Sequence, residues 1–468
     1  MAASEDTAAK RKESDAHAKK DKKKAAKNKN KPDVKAAASK APRHTSVAGI
    51  PVGLADPQDD PGREAQVPVS QRRFTAADKT TPTPPSRWSL RMSAAGWRAA
   101  QYVGMSLHYL ASPRPPAPAF TRTIPSTLSP RPGTLTLHFY TPPGYKAKDG
   151  GDNNSNNVDD NDTVYPAVIN FHGGGFVLGS GTDDARFFRY LLTHSGAVVV
   201  SVDYRLAPEH PFPTAVEDGA DALLYVIRNA AALRIDPMRL ATSGFSAGAN
   251  LCFTSLLRLG AYAAEADARE PEAPDEPDEA GAGDAGAAST TRRPPPPLPP
   301  VSPRVPDHRV VAAVAWCPTL DFTLSRAERR AACTRPDQAL PTTLTDLFDA
   351  SYLYPPDLDL RDPCLSPAQA TDVRLARDMP QHVQLYTCEW DMLQREGADF
   401  AARLGRPPLD RNVFYKMIPG VPHGWEKSPN PLKLAEGSED LYRECGKRLK
   451  AVFDAAAGRP REASDAAE

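Results

Sequence analysis

Apolar residues change their spacing several times along this chain, and each change marks an element. "TLTLHFY" (134–140) alternates apolar and polar positions, the period-two pattern of a half-buried edge strand. "AVINF" (167–171) and "GAVVVSVD" (196–203) are short continuous apolar runs, as strands buried on both faces require. From Thr214 the period lengthens, and Val216, Ala220, Leu223, Leu224 and Ile227 form one stripe of a helix. "RLATSG" (239–244) is again strand-like and leads into the helical run "NLCFTSLLRL". "RVVAAVAW" (309–316), "HVQLYT" (382–387) and "NVFYKM" (412–417) supply further strands, and Leu441, Cys445, Leu449, Val452 and Phe453 a closing helix. Strands and helices in alternation predict one α/β domain, a mostly parallel central sheet flanked by helices.

Two segments fall outside that alternation. Residues 86–112 place Ala99, Tyr102, Val103, Ser106, Leu107 and Leu110 at helical spacing, and residues 322–360 are helical with proline interruptions. Both are expected to cap the carboxyl edge of the sheet, where ligands bind in open α/β folds. They read as short helices, without the broad apolar face of a lid.

Composition divides the rest of the chain. The 468 residues carry 49 prolines, 58 basic and 58 acidic residues, so the molecule as a whole is not built for a polyanion. Residues 1–85 are a Lys-rich tail and linker, with "KKDKKKAAKNKNK" at Lys19–Lys31, too poor in apolar side chains to order a core. Residues 263–307 are an acidic and then proline-rich insertion ending near "PPPPLPP", also expected to be disordered. The α/β domain therefore spans about 86–460. The lysine run reads as a solvated tail, with nuclear targeting or loose nucleic-acid contact as its functional alternative. The proline run reads as a spacer or as a weak SH3- or WW-type docking site. No run of 18 apolar residues predicts a transmembrane segment, and no apolar leader is evident at the N-terminus. Six scattered cysteines without a C-x-x-C pair read as reduced thiols, consistent with a cytoplasmic or nuclear location.

The chemistry concentrates at "ATSGFSAGANL" (241–251), where Gly244 and Gly248 flank Ser246. An Ala/Gly-rich helix start capped by Ser243 or Ser246 would use the same residues. A strand before the pentapeptide and a helix after it favour a sharp turn that lifts Ser246 above the sheet. A serine hydroxyl needs a base, an orienting acid and an oxyanion site to act at neutral pH. "NFHGGGF" (170–176) ends a strand with three glycines whose N–H groups, with that of Ala247, suit an oxyanion. Asp391 in "TCEWDML" and His423 in "GVPHGW" each follow a strand, so both fall on the same edge of the sheet. Glu389 and Glu396 are weaker candidates for the acid, and His382 and Asp399 read as polar surface. No cofactor is required and no Cys/His metal cluster is evident, so the site is expected to hold no metal.

"HGGGF", "DYRLAPEHPFPTAVED" (203–218), "GFSAGAN", "DPCLSP" (362–367), "EWDMLQREG" (389–397) and "PHGW" together resemble the hormone-sensitive-lipase-like group of α/β-hydrolase esterases and lipases. The resemblance covers about residues 86–455. It implies an α/β-hydrolase fold with a helical cap, Ser246 as nucleophile, His423 as base and Asp391 as its partner. It also implies an oxyanion hole from Gly174, Gly175 and Ala247. The expected activity is hydrolysis of short to medium acyl esters, small molecules, through an acyl-enzyme. The alternative is a catalytically silent receptor on the same fold. Phe245 stands where the family usually has Asp or Thr, and Ala249 replaces a second glycine. "DYRLAPEHPFP" is read as a structural lock on the loop after its strand.

Overall fold

The structure, a computed structural model, describes residues 85–145, 163–268, 304–427, 430 and 432–458. The lysine run, the linker to residue 84 and the core of the acidic, proline-rich insertion lie outside the described residues.

The chain opens with α1 (Arg87–Leu110), followed by β1 (Phe120–Pro125), β2 (Thr134–Tyr140), β3 (Tyr165–Phe171), α2 (Ala185–His194) and β4 (Val198–Asp203). Then come α3 (Thr214–Arg228), β5 (Ile235–Phe245), α4 (Ala247–Asp267) and β6 (Val310–Trp316). After α5 (Arg326–Ala332), α6 (Thr342–Tyr352) and α7 (Asp372–Asp378), the chain alternates β7 (His382–Cys388), α8 (Gln394–Leu404), β8 (Asn412–Ile418) and α9 (Ser438–Ala456). The eight strands form one sheet in the order β1-β2-β4-β3-β5-β6-β7-β8. β2 pairs antiparallel with β1 and β4, and every pair from β4 to β8 is parallel.

The continuous apolar runs sit where both faces are covered. Val198, Val199, Val200 and Val202 of β4 are fully buried, Val199 on one side of the pleat and the other three on the opposite side. α2 and α9 pack on one face through Phe187, Leu191, Cys445 and Leu449, while α3, α4 and α8 cover the other. Parallel strands all end at one edge, so loops leaving those ends converge there.

Three expectations are corrected. β2 is not the edge strand, because "FTRTIP" (120–125) pairs outside it. β1 escapes the pattern because only Phe120 and Ile124 among its side chains are large and apolar, with Arg122 between them. α1 is not short; it runs for 24 residues. Its apolar stripe also faces outward, with Tyr102 and Val103 77% and 60% exposed, while Leu90, Ala94, Met105 and His108 face in. Polar anchors hold that inner face: Arg98 donates to the Val177 carbonyl at 2.9 Å, and Gln101 to Asp183 at 2.8 Å. Finally, α4 continues to Asp267, beyond the residue 263 expected to begin the insertion.

Candidate active site

Ser246 stands between β5 and α4 with φ 55° and ψ −114°, a left-handed-side backbone that non-glycine residues rarely adopt. The glycines around it answer to space. A Cβ on Gly248 would lie 1.9 Å from the Phe171 carbonyl oxygen, and one on Gly244 2.4 Å from Gly248. Only hydrogen at both positions lets the turn close against β3. The Ser246 N–H donates to the Trp316 carbonyl at 2.8 Å, which ties the turn to β6.

The structure brings the three triad candidates together. His423 Nε2 is 2.9 Å from Ser246 Oγ, and its Nδ1 is 2.6 Å from Asp391 Oδ2. Asp391 lies just past β7, almost fully buried, and its other oxygen accepts from the Leu393 N–H at 3.0 Å. His423 sits in the loop after β8. Burial disfavours a charged ring, but the charge and hydrogen bond of Asp391 outweigh it, so His423 titrates above its ordinary value.

The weaker candidates lie elsewhere. Glu389 accepts from the Gly420 N–H at 2.7 Å, and Glu396 accepts from the Leu320 N–H at 3.0 Å and pairs with Arg329 at 3.0 Å. Burial raises Glu396 to about 7 against the opposing charge of Arg329. Asp399 is exposed beside Arg395, and His382 begins β7 at the opposite edge of the sheet.

The glycine loop after β3 borders the same space. Gly174 and Gly175 have φ of +120° and +61°, and a Cβ on Gly175 would strike the Phe348 ring at 2.2 Å. The N–H groups of Gly174, Gly175 and Ala247 carry no hydrogen bond among the described residues. His172 holds the loop by its ring Nδ1, 2.8 Å from the Gly173 carbonyl, and Tyr204 donates to the His172 carbonyl at 2.8 Å.

A largely apolar cavity of about 350 Å³ opens above Ser246 and His423. α1 contributes Gln101, Gly104 and Met105 to its wall, and the α6 region contributes Leu340, Leu344 and Phe348. Sequence reasoning placed these segments over the edge but not these side chains at the cavity. It also missed the polar end of the wall, made by Asp183, Glu426 and Lys427. Lys427 pairs with Asp184 at 2.6 Å and lies 4.2 Å from the centre of the Phe245 ring. Phe245, the departure from the family pattern, stacks on Trp316, which in turn stacks on Tyr386. The position has joined an aromatic column. Segment 203–213 contributes no side chain to the cavity; Arg205 instead pairs with the buried Asp218 at 2.7 Å and donates to the Arg131 carbonyl at 2.8 Å.

Cys317, Asp391 and His423 offer donor atoms within 4.8 Å of one another. A hydrogen bond with Cys388 and burial hold the Cys317 thiol far above its usual range, so it is a protonated, weak ligand. His423 Nδ1 and Asp391 are already bonded to each other. The trio is a poor fit to a metal ion.

A family model described as alpha/beta hydrolase fold matches residues 168–427. An AB hydrolase superfamily protein of Schizosaccharomyces pombe is 39% identical over 129 residues, 28% of this chain and 34% of that protein. Human hormone-sensitive lipase is 41% identical over 95 residues, 20% of this chain and 9% of the lipase. The chain thus spans about a third or less of the length of these curated relatives. Among solved structures, a hyperthermophilic esterase from Pyrobaculum calidifontis superposes with a TM-score of 0.54 at 25% identity, covering 79% of this chain and 99% of that one.

Proposed function

The chain belongs to the alpha/beta hydrolase fold family, in its hormone-sensitive-lipase-like group of esterases and lipases, and from that premise we propose that it hydrolyses carboxylic esters through an acyl-enzyme on Ser246. The observation that carries the reading is the unbroken relay of 2.9 and 2.6 Å from Ser246 through His423 to Asp391, on the floor of an apolar cavity.

In this reading His423 takes the Ser246 proton as Oγ attacks the ester carbonyl. Asp391 holds the ring in the tautomer whose Nε2 is free to accept, and steadies the imidazolium that forms. The carbonyl oxygen, now an anion, is met by the N–H groups of Gly174, Gly175 and Ala247. One such donor is worth about 3 kcal/mol at the transition state. His423 then protonates the leaving alkoxide, and in the second half removes a proton from the water that releases the acid. Residues 86–112 and 322–360 act as the cap that shapes the acyl site.

The cavity, at the low end of the roughly 300–1,000 Å³ range of ligand sites, supports short to medium acyl groups. A fluorophosphonate probe tests the nucleophile directly. It should label the wild type at Ser246 and leave Ser246→Ala unmarked. Equal labelling of both would move the nucleophile elsewhere, and no labelling of either would favour a silent receptor on this fold.

A further inference from the structure

The loop that carries His423 is tied down differently on its two sides. Upstream, the Val421 carbonyl accepts from the Trp390 N–H at 3.1 Å, and the Glu389 carboxylate accepts from the Gly420 N–H at 2.7 Å. Downstream, the backbone bonds among the described residues are local turns, from Trp425 to Pro422 at 3.3 Å and from Lys427 to Gly424 at 3.1 Å. The hold on that side comes from a side chain. Lys427, four residues past His423, pairs with Asp184 at 2.6 Å, and its ammonium lies 4.2 Å from the centre of the Phe245 ring.

Asp184 does not end the connection. It stands just before α2, 2% exposed, and its other oxygen accepts from Asn170 Nδ2 at 2.9 Å. Asn170, in β3, accepts in turn from Ser243 Oγ of β5 at 2.7 Å, and neither residue reaches solvent. A continuous polar chain, Ser243–Asn170–Asp184–Lys427, therefore crosses the core. One end lies three residues before Ser246 and the other four residues after His423. Asn170 lies three residues ahead of Gly173, at the root of the glycine loop. Stability is a poor account of the lysine, because removing both charges of a buried pair from water offsets their attraction. Burial works against the Lys427 ammonium, and the carboxylates of Asp184 and Glu426 outweigh it, so the charge is kept. What the pair supplies is a fixed position, since an ionic contact anchored by further hydrogen bonds has one geometry and an apolar contact can slide.

We propose that Lys427 is a positioning residue, and that the chain from Ser243 to Lys427 sets the His423 loop against the Ser246 turn. Lys427 acts through the loop that carries the base. The kinetic consequence rests on the ester reading, and the hold on the loop does not.

The test uses the full chain and compares Lys427→Met, Lys427→Arg and the double variant of Lys427→Met with Asp184→Asn. A misplacement of about 1 Å at a reacting group can cost 10²-fold, so Lys427→Met should lower kcat on a water-soluble butyrate ester on the order of 10- to 100-fold, with KM nearly level. Lys427→Arg keeps a cation at Asp184 and should recover at least part of the loss. Lys427→Met also strands the buried Asp184 carboxylate, so its urea midpoint should fall. The double variant removes both charges and should regain the midpoint, yet its kcat should stay low. That split separates position from stability. Amide hydrogen exchange between residues 420 and 427 reads the loop without substrate. It should quicken in Lys427→Met and in the double variant, and stay near wild type in Lys427→Arg. A double variant that recovers kcat along with its midpoint overturns the proposal. So do unchanged kcat or unchanged exchange in Lys427→Met, a loss confined to KM, and a Lys427→Arg variant as impaired as Lys427→Met. If the wild type neither hydrolyses the ester nor takes a fluorophosphonate at Ser246, the ester reading fails by itself, and the exchange of the loop decides for or against the hold by Lys427. If Lys427→Met fails to fold, the double variant carries the comparison.

Discussion

Ser246 Oγ lies 2.9 Å from His423, its proposed base, and His423 lies 2.6 Å from Asp391, so the three side chains are expected to act as one unit. Ser246→Ala or His423→Ala alone should therefore lower kcat on the order of 10⁴- to 10⁶-fold, and the double variant little further. Asp391→Asn should cost somewhat less, since the ring remains but loses the acceptor that fixes its tautomer. The same pair sets the pH dependence. His423 must be neutral to accept a proton, and Asp391 raises its pKa above the ordinary value of about 6.5. Activity should thus fall as pH drops through a value higher than 6.5. In Asp391→Asn burial remains as the largest influence on the ring, with the opposed charges of Glu426 and Lys427 beside it, so the residual activity should hold to lower pH. A kcat/KM profile of both proteins checks this, and an acid limb that stays fixed would separate Asp391 from His423.

The turn elements depend on what cannot be larger. Gly248→Ala pushes a methyl into the Phe171 carbonyl, from which it would sit 1.9 Å. The turn and β3 must part, and a loss of about 3 kcal/mol or more in denaturant unfolding is expected. Asp218→Ala should be as harmful for a different reason, leaving the Arg205 guanidinium, 8% exposed, without its carboxylate. Removing one partner of such a pair costs about 3–5 kcal/mol. Strands β3 to β7 were legible in the sequence because burial on both faces forces continuous apolar runs. The meeting of Ser246, Asp391 and His423 was legible for a related reason: parallel strands end at one edge, so residues just past β5, β7 and β8 come together there. β1 was not, since an edge strand needs few apolar side chains. The direction of α1 was not either. Periodicity reveals that a helix has an apolar face, but not whether that face is turned to the domain or away. Phe348 over Gly175 was also beyond reach, because contacts between distant loops leave no local pattern.

At the scale of the molecule, the long insertion joins the end of α4 at Asp267 to the start of β6 at Val310. α4 begins at the carboxyl edge beside Ser246 and runs back, and a parallel strand starts at the opposite edge, so the insertion leaves and returns far from the site. Deleting residues 1–84 and 269–303 together should therefore preserve folding and hydrolysis of a soluble ester. A deletion variant that stays in solution with intact circular dichroism but has lost turnover would refute this. The cap is a different matter. Its Phe348 ring fills the place where Gly175 has no side chain, so the roof of the cavity and the glycine loop proposed to stabilise the anion share a surface. An acyl group long enough to lever α6 upward would withdraw the ring from the loop and loosen the donors at the moment they are needed. The roof then works as a gauge. Oversized esters still enter and are held, but they are turned over slowly, and the penalty for length is paid in kcat while KM stays nearly level.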